Sequence, residues 1–369
     1  MLYLIDFIIF NNFLMSFLTF NVNKNHIFFP LLFLCYFLRE VFKKIIKEMN
    51  KDKDCTFGNS ENKVKGAFYD AYIFIPSNLL VIFCVCIEKI RAKSSNNFEE
   101  KKAKNSKANA KLIYKQKSLV KFTKLLKLLL LVSIFNFIPR VIIFLLFFLV
   151  DDDDKFNSTP VLGSVSIFYI IGTSILSRIF LSTHYYKHHY LSMAINIFSL
   201  IINMIIDIRY FDKKYTIILY IINMLSTISY SLASISAKFT LIYISPYAVQ
   251  LYRTLIQLIF LILCSIPLFF IERNGKIIFS NFFEVINEYK IILLYLCAMI
   301  SNCAYGIFIW ILIDKFTPND YGLSMMVENM IDILIQYVLK PHIFKENLIA
   351  SIIYTTFYLF TINCWYMYS

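Results

Sequence analysis

Eleven apolar runs, most of them near twenty residues long, follow one another along this 369-residue chain with only short polar breaks. A helix needs about 20 mainly apolar residues to cross a hydrocarbon core of roughly 30 Å, so this succession restricts the fold more than any local motif does. The runs are Leu2–Val22, His26–Ile46, Phe68–Ile90, Leu125–Val150, Val161–Ser182, Tyr190–Ile206, Tyr215–Ile244, Pro246–Ile271, Ile291–Ile313, Tyr321–Leu339 and Ile349–Met367. Little sequence remains for a separate soluble domain. The composition agrees: 59% apolar residues and a mean hydropathy of +0.64 exceed what soluble domains use.

Charge is distributed unevenly. Of 37 Lys and Arg residues, 20 lie between Arg39 and Lys124 beside 9 acidic residues, so +11 of the net +13 sits in one region. A polybasic stretch next to apolar helices marks a cytoplasmic face in contact with anionic lipid, and it argues against nucleic acid as a partner. If Phe68–Ile90 crossed the bilayer, residues 43–65, with seven Lys, and 91–124, with eleven Lys or Arg, would lie on opposite sides. Asp70, Pro76 and Asn78 also interrupt that run. It therefore reads as an interfacial or re-entrant segment within a long basic cytoplasmic loop at about 43–124. Ten spans then remain, with both termini cytoplasmic. The aspartates Asp151–Asp154 and the Asn157-Ser158-Thr159 sequon fall on the opposite side. The membrane is either an endomembrane (Golgi or ER) or the plasma membrane. The first run lacks a basic n-region and reads as a retained helix rather than a cleaved signal.

The eight cysteines form no CxxC pair and mostly fall within apolar runs, as buried small hydrophobes do. His184, His188 and His189 share a basic turn with no nearby Cys or carboxylate, so no metal is expected there. GxSxG, Walker and HExxH patterns are absent from the sequence, and no cofactor or enzymatic activity is expected.

Val338-Leu339-Lys340-Pro341-His342-Ile343-Phe344-Lys345 aligns without a gap over Phe180-Leu181-Ser182-Thr183-His184-Tyr185-Tyr186-Lys187. Both are basic turns between two apolar helices, with His184 over His342 and Lys187 over Lys345. In a ten-span chain they join helices four to five and nine to ten. Five helices is an odd number, so the halves, 1–210 and 211–369, would have opposite orientations in the membrane. The expected fold is thus an all-α polytopic membrane protein of about ten transmembrane helices, arranged as two inverted five-helix repeats. Inverted repeats of this kind characterise secondary transporters, with the substrate site near the midplane.

Three segments carry a resemblance. Ser174–Leu181 followed by Tyr185–Met193 looks like the fourth and fifth helices of the drug/metabolite transporters, particularly the nucleotide-sugar-transporter-like branch. Ala237-Lys238-Phe239, Ile244-Ser245-Pro246-Tyr247 and Leu251-Tyr252-Arg253 resemble that family's turn between helices six and seven. Lys315-Phe316-Thr317-Pro318 resembles the approach to helix nine. The resemblance covers residues from Val161 to the C-terminus. It implies a secondary transporter for a small polar metabolite such as a nucleotide sugar or sugar phosphate. The chain departs from the pattern twice. Val161–Ser164 holds no arginine, and Glu328 and Asp332 occupy the ninth helix where nucleotide-sugar carriers tend to have a lysine. Both departures favour the alternative, a non-transporting membrane scaffold or assembly factor with a transporter-like fold.

An ionisable side chain at the bilayer centre costs roughly 2.5–3.5 kcal/mol on insertion scales, so it faces a cavity or a partner. Glu328 and Asp332 stand four apart on one helical face and are the candidates for proton or ion coupling. Their rival role is a structural network with Arg140 or Arg178. Arg140, in the third trusted span, suits an anionic group. Lys238, Arg253 and Arg178 read as snorkelling residues at helix ends. Ser226, Thr227, Ser229, Ser231, Ser234 and Ser236 on helix six either pack helices or line a path, as do Ser301, Asn302, Tyr305 and Gly306 on helix eight. The candidate substrate residues are Arg140, Ser234, Asn302 and Tyr305. The partners expected are a small-molecule substrate and the lipid bilayer, and a homodimer is left open.

Overall fold

A computed structural model describes residues 27–49, 75–100, 123–139, 141–142, 159–210, 213–271, 289–339 and 348–366. Among these the fold is entirely helical, without strands. The helices are α1 (Phe28–Met49), α2 (Val81–Glu100, preceded by a 3₁₀ turn at Asn78–Leu80), α3 (123–139) and α4 (Thr159–Phe180). They continue as α5 (Lys187–Tyr210), α6 (Lys213–Leu241), α7 (Pro246–Ile271), α8 (Tyr289–Lys315), α9 (Pro318–Leu339) and α10 (Leu348–Tyr366). Several sequence expectations lie outside the described residues: the Leu2–Val22 run, most of the basic loop, Arg140, Asp151–Asp154, Asn157 and Ser158 of the sequon, and the turn holding His342 and Lys345.

Short polar signals set the helix ends. Thr317 caps α9, its Oγ1 accepting from the Asp320 N–H at 3.3 Å. The Asp320 carboxylate in turn accepts from the Thr317 N–H at 2.9 Å and from its hydroxyl at 2.6 Å. With Pro318 at the first helical position, this reciprocal arrangement starts the helix three residues before the apolar run does. Ser245 caps α7 ahead of Pro246 in the same manner, accepting from Ala248 N–H at 3.4 Å. At the other end of α4 the chain turns at Ser182, with φ of 52°, and the Thr183 N–H returns to the Ser177 carbonyl at 3.3 Å.

Packing runs through a few helix pairs. α8 lies along α1 and α7, α4 along α6, α9 and α5, and α10 along α5. Ile167 and Ile170 of α4 meet Leu323, Met326 and Met330 of α9, and Tyr358 and Ile362 of α10 complete this cluster. A second cluster joins Phe29, Leu32 and Tyr36 of α1 to Tyr305 and Leu312 of α8. α3 enters through Val132, packed with Ala237 of α6 and Val249 of α7. A Cβ on Gly172 would stand 2.8 Å from Ser231 Oγ, so α4 and α6 approach closely there and an alanine would have to turn the Ser231 hydroxyl aside.

The segment read from charge as interfacial or re-entrant is helical from 75 to 100 and docks against α7 and α8. Ile75, Ser77, Asn78 and Val81 are all buried. The start of the segment is thus packed into the bundle, while Ile82, Phe83, Ile87 and Ile90 further along are exposed.

The interior is polar in an unusual proportion. Ser192, Asn196, Ser226, Thr227, Ser231, Gln250, Thr254 and Gln257 are buried. Ile197, Phe198 and Ile201 of α5, Leu255, Ile259 and Ile262 of α7, and Leu293 and Ile300 of α8 are exposed. Pro246–Leu263 and Ile292–Lys315, among the described residues, are long and apolar enough to cross a membrane.

Candidate functional site

Glu328 sits on α9 with 5% of its surface exposed. Its Oε2 accepts the Tyr305 hydroxyl of α8 at 2.7 Å. One turn on, Asp332 Oδ2 accepts the Tyr36 hydroxyl of α1 at 2.5 Å. Three helices therefore converge on the two carboxylates. The 3.6-residue period puts Glu328 and Asp332 on one face, and the α1–α8–α9 contact supplies a tyrosine to each.

The cation in this cluster is Arg39 of α1. Its guanidinium lies 4.8 Å from the Tyr36 ring centroid and 4.3 Å from that of Tyr305. Its Nε and Nη2 both reach Glu40 Oε1, at 2.9 and 2.8 Å. Lys43 approaches the same oxygen at 3.7 Å. Planar guanidinium on two aromatic faces, with its fork on a carboxylate, is an arrangement that Lys cannot reproduce. The two tyrosine rings are themselves 5.5 Å apart.

The structure brings Tyr305, Glu328 and Asp332 together as expected and leaves Asn302 out. Asn302 Nδ2 donates instead to Ser77 Oγ at 2.9 Å and Asn78 Oδ1 at 3.4 Å. Asn78 also receives Gln250 Nε2 at 2.7 Å, and the Trp310 indole donates to Gln250 Oε1 at 2.5 Å. This is a separate amide cluster joining α2, α7 and α8. Gly306 makes room for it, since a Cβ there would collide with the Gln250 amide. Ser234 stands apart on α6, accepting the Tyr169 hydroxyl at 2.6 Å and donating to the Tyr230 carbonyl at 3.1 Å. Tyr169 meets Tyr321 edge-on at 5.6 Å, and Tyr321 interacts with Tyr305 and Glu328, so Ser234 connects to the carboxylates through a row of tyrosines.

Among the other cations, Arg253 and Lys238 depart from their sequence readings. Arg178 faces outward, donating to the Tyr190 hydroxyl at 2.6 Å, and takes no part in a network with Glu328 or Asp332. Arg253 does not snorkel: it is 6% exposed and lies 5.1 Å from the Trp310 ring centroid. Lys238 turns inward too, its Nζ donating to the carbonyls of Ile313, Asp314 and Phe316 at 2.7, 2.8 and 2.8 Å. Ile313 and Asp314 lie in the last turn of α8 and Phe316 directly follows it, so Lys238 is a cap supplied by another helix. On α6, Ser229 donates to the Phe135 carbonyl at 2.9 Å and Ser231 to its own helix, which is helix packing.

In the first turn of α5, His189 Nδ1 accepts the Tyr186 N–H at 3.0 Å, and its ring lies 4.5 Å from Trp365. Burial, reinforced by the neighbouring His188, pushes its pKa below the usual histidine value. Among the described residues no group of His, Cys, Asp and Glu has the makings of a metal site.

Sequence reasoning missed Tyr36, Arg39 and Glu40. The signal was present, because Arg39 and Glu40 interrupt the apolar run His26–Ile46. Counting Arg39 as the first residue of the basic pool concealed it. Compared with protein-family models and with curated proteins, the chain matches none.

Proposed function

We propose that this chain is a multi-pass membrane protein that moves a small polar solute by alternating access, in the manner of the drug/metabolite transporters it resembles. One observation carries the reading: Glu328, nearly fully buried and bonded to Tyr305, lies where α1, α8 and α9 meet. A carboxylate so placed in a bundle with an apolar exterior is a default site for proton or ion coupling. Exposed Ile, Leu and Phe over a core of Ser, Thr, Asn and Gln support lipid as the solvent of that exterior.

The helix pairing supports two five-helix halves, α1–α5 and α6–α10. Shifting each helix by five leaves the pairs α2–α7, α4–α9 and α5–α10 unchanged. The same shift exchanges α4–α6 with α9–α1, and α4–α5 with α9–α10. In this register the helix at 75–100 is the second span, which replaces the sequence count of ten that included Leu2–Val22 and left out Phe68–Ile90. Residues 50–74 then carry four Lys against four acidic residues on one side, and 101–122 carry eight Lys and no acid on the other. With the helix ends included, 43–74 hold seven Lys and 89–124 twelve Lys or Arg, so the second side is the more basic. The earlier difficulty arose from assigning Lys43, Lys44 and Lys47 to a loop, whereas they lie within α1.

The test is purified protein in liposomes with a trapped pH-sensitive dye and a panel of external solutes. The reading predicts solute-dependent proton movement in wild type and none in Glu328→Gln. An unchanged pH dependence in that variant removes Glu328 from the coupling step. A second reading, a scaffold that moves nothing, is favoured by the amide cluster, whose satisfied bonds hold α2, α7 and α8 together. Absence of any solute movement across the panel selects it.

A further inference from the structure

From the charges around Glu328 we infer that the solute is a small organic cation, a protonated amine, and that Glu328 Oε1 receives its ammonium group. The inference rests on the transport reading and narrows it, replacing the nucleotide sugar or sugar phosphate that the family resemblance implies.

Three carboxylates meet here: Glu40, Glu328 and Asp332. Arg39 and Lys43 both contact one oxygen of Glu40, and Arg39 also lies close enough to Glu328 to attract its charge. Arg39 has its ring-facing surfaces against Tyr36 and Tyr305, and its Nε and Nη2 on Glu40. An anionic solute would enter a cluster with more acidic than basic groups, and the cations it needs would first have to leave Glu40. Repulsion and desolvation both oppose it.

A second observation points to what does fit. Glu328 is 95% buried, being 5% exposed, and among the described residues nothing donates to its Oε1. Buried carboxylate oxygens ordinarily hold a donor, so this one calls for an N–H or O–H group. An ammonium has three donors and no acceptor, which matches an oxygen beside a tyrosine hydroxyl. The site also demonstrates its own preference. It already stabilises one organic cation, the Arg39 guanidinium, against the faces of two tyrosines next to carboxylates. Cation–π attraction and a carboxylate acceptor act on a free amine in the same way.

The experiment uses the full chain in nanodiscs and in liposomes, with benzylamine, the isosteric benzyl alcohol, and glucose 1-phosphate as probes. Thermal shift titration of the nanodisc protein should show benzylamine binding at least about ten-fold more tightly than benzyl alcohol, a difference a charge-assisted hydrogen bond can supply. Glu328→Gln, which keeps the acceptor for Tyr305, should bring the two probes level while melting near wild type. If that variant does not fold, Tyr305→Phe serves in its place, with a partial loss of the preference for the amine. Equal binding of amine and alcohol by wild type overturns the inference, as does an amine preference that survives Glu328→Gln. Counterflow in liposomes separates the two claims. Glucose 1-phosphate exchange without benzylamine exchange sinks the cation class and leaves transport standing. Glu328-dependent benzylamine binding without counterflow of any probe upholds the cation site and sinks transport.

Discussion

Two polar clusters meet on different faces of α8, and they are built on opposite principles. Around Asn302, three amides, a serine and an indole exchange hydrogen bonds across α2, α7 and α8, with no formal charge on Ser77, Asn78, Gln250, Asn302 or Trp310. Around Tyr305, carboxylates, a guanidinium and tyrosine hydroxyls join α1, α8 and α9, and one oxygen of Glu328 is left open. A neutral network that closes on itself adds rigidity and asks for nothing further. A charged network with an open acceptor costs stability and is retained for chemistry. Only the second has the character of a working site.

The largest predicted effect separates the clusters by charge. Arg39→Met leaves the carboxylates of α1 and α9 without their central cation and should cost about 3 kcal/mol, the scale for breaking a buried ion pair. Thermal melts in detergent should show it, and an Arg39→Met melt equal to wild type would mean the carboxylates are already neutral. Next comes the amide cluster. Gly306→Ala displaces the Gln250 side chain and should cost about 2 kcal/mol through unmade hydrogen bonds, without changing any pH response. A pH-dependent defect in that variant would erase the distinction between the clusters.

Glu328→Gln is expected to behave in the converse way, with a melting change within about 1 kcal/mol and complete loss of pH-dependent solute movement. A large stability loss with pH dependence intact would make Glu328 a structural residue. The smallest effect lies outside both clusters. His189 has a folded-state pKa below its ordinary value, so the unfolded chain binds more protons as pH falls through that value. Its contribution to stability is complete at neutral pH and declines on acidification below about 6.5. His189→Gln should flatten the melting curve of the wild type between pH 7 and pH 5.

Much of the helix order was legible in the sequence, because α4 to α10 follow apolar runs that begin and end within a few residues of the observed helices. The ends were less so. α9 starts at Pro318 and not at Tyr321, since Thr317 and Asp320 cap a polar first turn that hydropathy ignores. Glu328, Asp332 and Tyr305 were legible for a physical reason: charges in an apolar helix are costly and therefore few. Tyr36 and Arg39 were not, because their role appears only when α1 lies along α8. The second helix was obscured because a lysine count cannot tell a loop from the basic end of a helix.

Lys238 has a mechanical consequence. Its ammonium clasps the three carbonyl groups that end α8, so α6 and α8 are spliced where their ends meet. Pulling them apart strips one charge of three acceptors in a single step. Small swings that leave this splice intact must be taken up elsewhere. Any swing of the halves must therefore carry the joined ends of α6 and α8 together.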